Sequence, residues 1–538
     1  MNYQEELNAR IAEERAAIEL IKVSSDLSFE KSIELVIFRN KLIDKRSSEI
    51  LNLHEYAKNF VQKPITIFET LAMANGISKT NIAPSKIDLG KLTYEWINEK
   101  ELYKDLKSFI CKKLDFVNNE STTIHPKDVI LFGFGRIGSL LARELMAQEG
   151  KGEQLRLRAI VLRNNDERNI IKRASLLRTD SVHGKFPGTV VEDVANKSLI
   201  INGQSVQLIK TSAPEDVDYS AYGIKNALLI DNTGVFKDKV ALSRHLKAKG
   251  VLKVLLTAPG AEVPNIVFGA NHLDYKLNKY DVFSAASCTT NAITPILKIL
   301  NDNLGIVKGH IETIHAYTND QNLVDNMHKK ERRGRAAALN LVLTNTGAGN
   351  AVVKVIPELK NKLTANAVRV PTPNGSLAIL NLTLDKEITL EDVNTIIKNA
   401  ALEGPLVEQI NYSISKELVS SDIVGNNAAA IYDSPATIIS QDGKNIIGYR
   451  EAMTLKTMPK KMVVVGSGAI GVEFAYFYNA MGVDVTVVEY MPNIVPIEDE
   501  DISKQLQRSF KKSGIKVMTN SSVEKVTSSA GGCDVLIK

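Results

Sequence analysis

The sequence predicts an α/β protein of several domains, and three observations support this prediction. The chain has 538 residues, 44% hydrophobic and 24% charged, so it is long enough for roughly three or four packed cores. Two stretches, VILFGFGRIGSLLA from Val129 and MVVVGSGAIGVEFAYF from Met462, run from an apolar segment through a glycine-rich turn into a helical pattern. Between them, strand-like runs such as GHIETIHAYT and GSLAILNLTLD alternate with helical patterns.

Composition excludes several classes of protein. Lys and Arg number 67 and Asp and Glu number 62, so the small surplus predicts no nucleic-acid partner and no binding to an anionic membrane. No stretch is apolar over the roughly 18 residues that a membrane helix needs. Acidic residues occupy the start of the chain, where a signal peptide needs an apolar stretch: Glu5, Glu6, Glu13 and Glu14. We therefore expect a cytoplasmic protein.

The chain has three cysteines, Cys111, Cys288 and Cys533. They are too few, and odd in number, for a disulfide framework. A functional cysteine in this chain is therefore expected to be a reactive thiol. No metal site is predicted.

Changes in composition divide the chain into four segments. Residues 1–125 are rich in Glu, Lys, Leu and Ile and are predicted to be a helical extension without a catalytic constellation. Their apolar positions at helical spacing are Leu7, Ile11 and Ile18, then Ile33, Val36, Ile37 and Phe38. Residues 126–286 are predicted to bind a nucleotide, 287–445 to form an α+β catalytic domain, and 446–538 to form a second, partial nucleotide-binding domain.

The first glycine loop has the spacing GxGxxG, at Gly133, Gly135 and Gly138. These glycines permit a tight turn, close approach of the backbone to a pyrophosphate and close helix packing, and the helix N-terminus offers N–H groups to phosphates. With a strand before it and a helix after it, the motif predicts a Rossmann domain that binds a dinucleotide. The alternative is an ordinary glycine-rich turn between a strand and a helix.

Cofactor choice depends on the end of the second strand, LRLRAIVL. Arg163 stands where an acid would accept bonds from the adenosine ribose, and the nearest acid, Asp166, comes three residues later. An arginine there favours a 2′-phosphate, so we predict NADP over NAD. The alternative is that Arg163 only solvates the strand end.

The stretch SAASCTTNAITPILKIL places Cys288 between an apolar strand and a helix predicted to open at Thr289, Thr290 or Asn291. The positive end of a helix dipole lowers the pKa of a thiol. His315 follows in ETIHAYTND, on a strand that can return it to Cys288. The two residues are therefore a candidate nucleophile and base, whereas a lone cysteine or histidine is more often structural.

These residues carry a resemblance to a known family. The motifs GFGRIG, DSVHGKFPGTV, NTGVF, ASCTTN, HAYTNDQ, RRGRAAA, NTGAGNAVVKVIPEL, VRVPTPN and SSDIVG occur in an order that resembles phosphorylating glyceraldehyde-3-phosphate dehydrogenase over about residues 127 to 445. Residues 1–125 resemble the extension of a long bacterial form of this enzyme.

The resemblance implies a reaction and a set of roles. Cys288 would attack the aldehyde of glyceraldehyde 3-phosphate, His315 would take its proton, and inorganic phosphate would cleave the resulting thioester to 1,3-bisphosphoglycerate, a step of glycolysis and gluconeogenesis. It also implies a homotetramer. The implied phosphate-binding residues are Ser287, Thr289, Thr318, Arg333, Thr346, Gly347 and Arg369. In the cofactor motifs, the resemblance implies that four residues bind the cofactor in addition to the glycines of the first loop: Arg136, Ile137, Thr233 and Gly234. Without the family, Thr346 and Gly347 would be a turn and Arg369 a surface cation.

One departure from the family pattern supports a second hypothesis. The pattern stops near Asn445, and because Trp96 is the sole tryptophan, the family's terminal Trp-Tyr-Asp-Asn-Glu strand and helix are absent. An uncovered apolar groove would follow. The alternative function is therefore a catalytically impaired fusion that keeps only nucleotide binding or oligomerisation.

The second loop resembles the NAD-binding domain of dihydrolipoamide dehydrogenase. Its glycines are Gly466, Gly468 and Gly471, and Glu489 closes the next strand, which suits a ribose diol and predicts NAD. That family needs an FAD domain and a redox cysteine pair, so we expect no FAD and no independent reductase activity. The sequence predicts a truncated domain with an unfinished sheet edge, prone to aggregate, in which Cys533 is a buried strand residue.

The two resemblances meet inside GKNIIGYREAM. The simplest interpretation is a piece of another enzyme joined on by recombination, faulty gene assembly or design.

Overall fold

A computed structural model describes residues 3–115, 125–148, 154–344, 346–439, 453, 455, 457–529 and 532–538. The chain divides into two units, Met1–Thr437 and Ile438–Lys538. The predicted junction within GKNIIGYREAM falls almost entirely on residues 443–452, outside the described part of the chain. Among the described residues no helix combines the length and the apolar character needed to cross a bilayer.

The N-terminal segment packs helices around a small sheet. Its helices are α1 (Tyr3–Lys31), α2 (Ser47–Tyr56), α3 (Ile67–Ser78), α4 (Leu89–Glu99) and α5 (Leu106–Lys113). Its strands are β1 (Ile33–Ile37), β2 (Asn40–Lys41) and β3 (Ser85–Asp88). β1 lies in the middle, parallel to β3 and antiparallel to β2.

The prediction of a helix through Ile33, Val36 and Ile37 is wrong, because these residues form β1. Their side chains are almost completely buried. A short run that is mostly apolar and rich in β-branched residues fits a strand with both faces largely buried, and its periodicity alone does not distinguish it from a buried helix.

The N-terminal segment packs against the catalytic domain through helix α11 (Leu390–Leu402) and strand β18 (Ile410–Ser413). The Arg39 guanidinium donates to the carbonyl oxygens of Ala401, at 2.9 Å, and Ile410. The Phe60 ring lies 5.5 Å from that of Tyr412. The segment is therefore part of one folded unit with the catalytic domain.

The nucleotide-binding domain is an eight-stranded sheet in the order β13-β12-β11-β4-β5-β10-β9-β8. Its first six strands in that order are parallel, which is the Rossmann arrangement with β4 at the point where strand order reverses. The strands are β4 (Lys127–Phe132), β5 (Leu155–Leu162), β8 (Val190–Asp193), β9 (Ser198–Ile201), β10 (Gln204–Lys210), β11 (Ala227–Asp231), β12 (Val251–Leu256) and β13 (Val282–Ser284). The helices are α6 (Arg136–Gln148), α7 (Glu167–Arg178) and α8 (Lys239–Ser243), and a two-stranded ribbon joins β6 (Thr179–Asp180) and β7 (Gly184–Lys185).

The catalytic domain is built on the mixed sheet β15-β16-β14-β17. Its strands are β14 (Ile306–Ala316), β15 (Val342–Thr344), β16 (Leu363–Val370) and β17 (Leu377–Leu384), with β18 paired to β19 (Ala430–Asp433). Its helices include α9 (Cys288–Leu304) and α10 (Ala348–Val353). α9 buries Ile293, Leu297 and Leu300, so packing fixes the helix whose first residue is Cys288.

The second unit has a parallel sheet, β20 (Lys461–Val465), β21 (Asp484–Val488) and β22 (Lys516–Met518), and a hairpin of β23 (Val523–Ser529) and β24 (Gly532–Ile537). Its helices are α12 (Ala469–Ala480) and α13 (Glu500–Lys512). On β20, Val463 and Val465 are 37% and 63% exposed, so one face of that strand is open to solvent. Both units together confirm the predicted fold class, a Rossmann domain and a catalytic domain with a helical segment before them and a Rossmann-like unit after them.

Replacing Arg39 by Ala is expected to lower the free energy of unfolding of the N-terminal segment by about 2 kcal/mol, because two buried carbonyl groups lose their donor. The fluorescence of Trp96, which lies 5.3 Å from the Phe109 ring in that segment's core, measures the transition in urea. Arg10→Ala is the matched control, since the ion pairs that Arg10 makes with Glu13 and Glu14 are exposed. Equal midpoints for the two variants would contradict the packing described.

Candidate active site and nucleotide loops

Cys288 occupies the first position of helix α9, one residue before the earliest of the three predicted starts, Thr289, Thr290 and Asn291. Ser287 is the N-cap, and its Oγ accepts the Thr290 N–H at 3.0 Å. Before it, Ala286 has φ of 58°, a left-handed conformation that is uncommon for a residue with a side chain. This sharp turn presents the thiol at the positive end of the helix dipole.

His315 lies near the end of β14, and its Nε2 is 3.5 Å from the Cys288 Sγ. Partial burial of the thiol raises its pKa, but the hydrogen bond and charge of His315, helped by Thr289, outweigh that effect. The pKa of Cys288 is therefore below its usual value, which favours the nucleophilic thiolate. The structure brings together the two residues that the sequence singled out.

One arginine contacts His315, and a second arginine lies near the first. Arg369 on β16 is the register partner of His315, and its Nη1 is 2.7 Å from the His315 Nδ1. Arg333 donates to Asp320 and to the Thr344 Oγ1 at 3.2 Å. The Nε groups of both arginines are buried without a hydrogen-bond partner among the described residues. Buried donors without acceptors are the feature that an oxyanion would satisfy.

The other predicted phosphate ligands are placed less closely. The Thr289 Oγ1 is 3.9 Å from the Cys288 Sγ, while Thr318 is exposed after β14. The Thr346 Oγ1 accepts the Ala348 N–H at 3.2 Å, and Gly347 precedes α10 with open space beside it. No hydrogen bond between described residues joins Thr318, Thr346 or Gly347 to the thiol.

The first glycine loop has the geometry of a phosphate cradle. Gly133 has φ of 95°, and a Cβ on Gly138 would lie 2.3 Å from the Gly133 carbonyl oxygen, so neither position accepts a side chain without strain. A Cβ on Gly135 would meet no atom within 4 Å. The loop leads into α6, whose first N–H groups are available to an anion, so these residues fit a dinucleotide pyrophosphate.

The remaining predicted cofactor residues in this loop have different surroundings. The Arg136 guanidinium donates to Asp180 at 2.8 Å and contacts the His183 Nδ1 at 3.1 Å. Ile137 is 49% exposed. The Arg136 side chain therefore orders the segment after α7.

At the end of β5, Arg163 is exposed. Asp166 is the N-cap of α7 and accepts the Asn169 N–H at 2.8 Å. Its oxygens also accept from side-chain amides of Asn164 and Asn169. The nearest acid therefore caps α7. This is consistent with its position three residues after Arg163 in the sequence.

Asp231 and His245 form a buried pair beside Thr233 that was not predicted from the sequence. The Asp231 carboxylate accepts the Thr233 N–H at 2.8 Å and its hydroxyl at 2.7 Å, while the His245 Nε2 donates to it at 2.8 Å. Both Asp231 and His245 are fully buried. Thr233 in turn lies against Gly133. An acid at the end of β11, directly before the NTGVF motif, was the available sequence signal.

The second loop repeats this construction within its own unit. Gly466 has φ of 89°, a Cβ on Gly471 would lie 2.1 Å from the Gly466 carbonyl oxygen, and Gly468 faces open space. Glu489 is only 7% exposed. Its carboxylate accepts the Ser467 N–H at 2.7 Å and the Ser467 hydroxyl at 2.6 Å, so it already holds the loop's own backbone.

The prediction that Cys533 is buried is wrong, because it is exposed on β24. The strand belongs to a two-stranded hairpin, which has too few strands to cover both of its faces. Among the described residues there is no cluster of His, Cys, Asp and Glu that could hold a metal ion.

Family models match three parts of the chain. Residues 127–239 match the glyceraldehyde 3-phosphate dehydrogenase NAD binding domain, and residues 287–451 match its C-terminal domain. Residues 461–538 match the pyridine nucleotide-disulphide oxidoreductase model. The two resemblances seen in the sequence are therefore confirmed at the level of family.

Similar proteins cover most of the first unit. A glyceraldehyde-3-phosphate dehydrogenase-like protein of Pseudomonas aeruginosa (strain UCBPP-PA14) is 46% identical over 406 residues, which are 74% of this chain and 88% of that protein. Glyceraldehyde-3-phosphate dehydrogenase 2 of Trichormus variabilis is 42% identical over 312 residues, 58% of this chain and 89% of that protein. Glyceraldehyde-3-phosphate dehydrogenase 1 of Bacillus subtilis (strain 168) is 39% identical over 310 residues, 57% and 88% respectively. The 406-residue match is longer than the stretch from 127 to 451.

Cys288 is expected to react with iodoacetamide at least about tenfold faster than Cys111 and Cys533 at neutral pH, because a lowered pKa leaves more thiolate. All three residues are exposed, and the Cys288 thiol is also partly buried, so accessibility alone gives Cys288 no advantage in rate. As the pH falls, Cys288 is expected to keep its reactivity to lower pH than an ordinary thiol does, because its pKa is below the usual value. Peptide mass spectrometry after timed labelling in phosphate buffer gives the three rates, and similar pH profiles for all three would contradict the assignment.

Replacing His245 by Leu is expected to weaken dinucleotide binding about tenfold, because the buried Asp231 loses its donor and no longer fixes the Thr233 turn. Isothermal titration with NADP and NAD measures the effect. His245→Gln is the matched variant, since its amide can still donate, and it should retain most of the affinity. Labelling of Cys288, in the other domain, should be unchanged. If both variants lose affinity equally, the hydrogen bond donated to Asp231 does not determine dinucleotide affinity.

Proposed function

Since the chain belongs to the glyceraldehyde-3-phosphate dehydrogenase family, we propose that it oxidises glyceraldehyde 3-phosphate with NADP or NAD and phosphorylates the product to 1,3-bisphosphoglycerate. The observation that carries this proposal is the 3.5 Å contact between the Cys288 Sγ and the His315 Nε2 at the start of α9. We further propose a cytoplasmic homotetramer.

In the proposed reaction, the Cys288 thiol loses its proton to the His315 Nε2 and attacks the aldehyde carbon. His315 then protonates the carbonyl oxygen and gives a hemithioacetal on Cys288. A dinucleotide bound at the Gly133 loop supplies the hydride acceptor for this oxidation. As the hydroxyl proton returns to His315, a thioester remains on Cys288. Inorganic phosphate attacks its carbonyl carbon, the carbon–sulfur bond breaks, and the thiolate leaves beside protonated His315.

The two arginines support phosphate as a substrate group and as a co-reactant. Arg369 and Arg333 each have a buried Nε without an acceptor, and forked guanidinium donors match the geometry of phosphate oxygens. We assign Arg369 and Thr318 to the phosphate of glyceraldehyde 3-phosphate. We assign the attacking phosphate to Ser287, Thr289, Thr346 and Gly347, with Arg333 nearby.

We propose that NADP is preferred, because Arg163 is exposed at the end of β5 while Asp166 caps a helix. The proposal places all of the chemistry in Met1–Thr437 and requires no flavin. The second loop, with Glu489 at its strand end, is proposed as an NAD-type loop without a part in this reaction.

The test of the reaction is the absorbance of reduced nicotinamide with glyceraldehyde 3-phosphate and each cofactor, with and without phosphate. We expect phosphate-dependent turnover that Cys288→Ser abolishes and that His315→Asn lowers about 10² to 10⁴-fold. Turnover at the same rate with and without phosphate would contradict the phosphorylating step. If folded protein still binds dinucleotide but shows no turnover, the result favours the alternative, an impaired protein that keeps nucleotide binding.

Replacing Arg163 by Ala is expected to reduce the ratio of kcat/KM for NADP to that for NAD about tenfold, since one charged partner of the 2′-phosphate is lost. Arg168→Ala is the matched control, because Arg168 is also exposed but lies within α7. It should leave the ratio unchanged. If both variants change the ratio alike, general surface charge and not Arg163 sets the preference.

A further inference from the structure

Four side chains form a continuous line of contacts between the first glycine loop and the catalytic domain. The Arg136 Nη1 donates to the Asp180 Oδ2 at 2.8 Å. The His183 Nδ1 lies 3.2 Å from the Asp180 Oδ1 and 3.1 Å from the Arg136 Nη2. On the other side of the same ring, the His183 Nε2 lies 3.3 Å from the Asn374 Nδ2. We call these four residues the domain bridge.

The two central residues of the bridge belong to motifs that the proposed reaction does not explain. His183 lies in DSVHGKFPGTV and Asn374 lies in VRVPTPN. Neither residue touches Cys288 through a hydrogen bond given by the described part of the chain. Their contact joins the nucleotide-binding domain to the catalytic domain, 191 residues apart in sequence.

The nucleotide end of the bridge is held by the Asp180 carboxylate. Its Oδ1 accepts the backbone N–H groups of Val182 at 2.9 Å and His183 at 2.8 Å. Partial burial raises the pKa of Asp180, but these bonds and the Arg136 guanidinium outweigh that effect and hold the pKa below its usual range. Arg136 is also the first residue of α6, the helix start whose N–H groups are available to the dinucleotide phosphates.

The catalytic end of the bridge lies in the turn 371–376, which joins β16 to β17. The Asn374 Oδ1 accepts the Gly375 N–H at 2.9 Å, and its amide nitrogen faces His183. Gly375 has φ of 78°, and a Cβ there would lie 2.9 Å from the Ser420 carbonyl oxygen. The turn is therefore tight, and its shape depends on this glycine.

The turn is bonded directly to the end of β14, where His315 lies. The Ala316 N–H donates to the Ser376 Oγ at 3.3 Å. The Tyr317 N–H donates to the Thr372 carbonyl oxygen at 3.2 Å. A movement of the turn therefore reaches the strand end that carries the proposed base.

We propose that His183 is a positioning residue that transmits dinucleotide binding to the catalytic domain. A dinucleotide that fixes the start of α6 restrains Arg136 and, through Asp180, the ring of His183. His183 then holds Asn374 and the turn 371–376 in one position, so that the end of β14 is set before substrate arrives. This inference rests on the proposed function, in which both domains serve one reaction. Spatial continuity alone does not establish such coupling, so the coupling itself has to be measured.

The test is hydrogen–deuterium exchange of the Ala316 and Tyr317 amides, which donate to the turn. Mass spectrometry of peptides that contain these residues compares the protein alone with the protein in saturating NADP and in saturating NAD. We expect a dinucleotide to slow this exchange about fivefold, the lower end of typical coupling between two sites. Peptides from α5 serve as the internal reference and should not change. If neither dinucleotide alters the exchange of Ala316 and Tyr317, the proposal is overturned.

Two substitutions at His183 separate the bridge from a local structural role. His183→Gln places an amide near the position of Nε2, within reach of Asn374, whereas His183→Asn places one near Nδ1 and does not reach Asn374. We expect the Gln variant to keep the wild-type exchange response and the Asn variant to lose it, while both still bind dinucleotide. Lys185→Ala is the matched control, because Lys185 is exposed on the neighbouring strand β7 and lies outside the bridge. A response that persists in His183→Asn would overturn the proposal.

The exchange measurement needs neither substrate nor turnover, and its first comparison uses the unsubstituted protein. The proposed function and the bridge therefore fail in different experiments. Protein that shows the exchange response but no dehydrogenase activity retains the bridge. Protein that turns over glyceraldehyde 3-phosphate but shows no exchange response overturns the bridge alone.

Discussion

The contact between Cys288 and His315 is the interaction on which the rest of the site depends. It requires the end of β14 and the first turn of α9 to lie within 3.5 Å. The N-cap bond of Ser287 and the left-handed Ala286 turn the chain between β13 and α9. The register of β14 with β16 then brings Arg369 to the other side of the same ring. One sheet and one helix start therefore fix the positions of Cys288, His315 and Arg369, which we propose to be the nucleophile, its base and a phosphate ligand.

The two glycine loops share one backbone geometry but differ in the side chains around it. In both, the first glycine adopts a positive φ and the last approaches the first glycine's carbonyl oxygen too closely for a side chain. They differ at the end of the following strand. Glu489 is buried and bonded to its own loop, whereas Arg163 is exposed. The first loop instead lies against Thr233, whose N–H and hydroxyl are bonded to the buried Asp231, which in turn accepts from His245.

Local signals predicted the loops and the candidate nucleophile because the residues that form each are close neighbours in the sequence. The spacing of glycines, and a cysteine between a strand and a helix, are visible without knowledge of the fold. The Asp231–His245 pair was not predicted, since it joins residues 14 apart on different elements and depends on full burial. Ile33–Ile37 was misassigned because periodicity alone does not separate a short buried strand from a helix. Packing of Arg39 against Ala401, 362 residues away in sequence, has no local signal.

The most direct test of the account is to look for the covalent intermediate on Cys288. Folded protein mixed with glyceraldehyde 3-phosphate and NADP, without phosphate, is analysed by intact-mass and peptide mass spectrometry. We expect an acyl adduct on the peptide that contains Cys288, and we expect it to disappear when inorganic phosphate is added. An adduct on another residue, or an adduct that phosphate does not release, would contradict it.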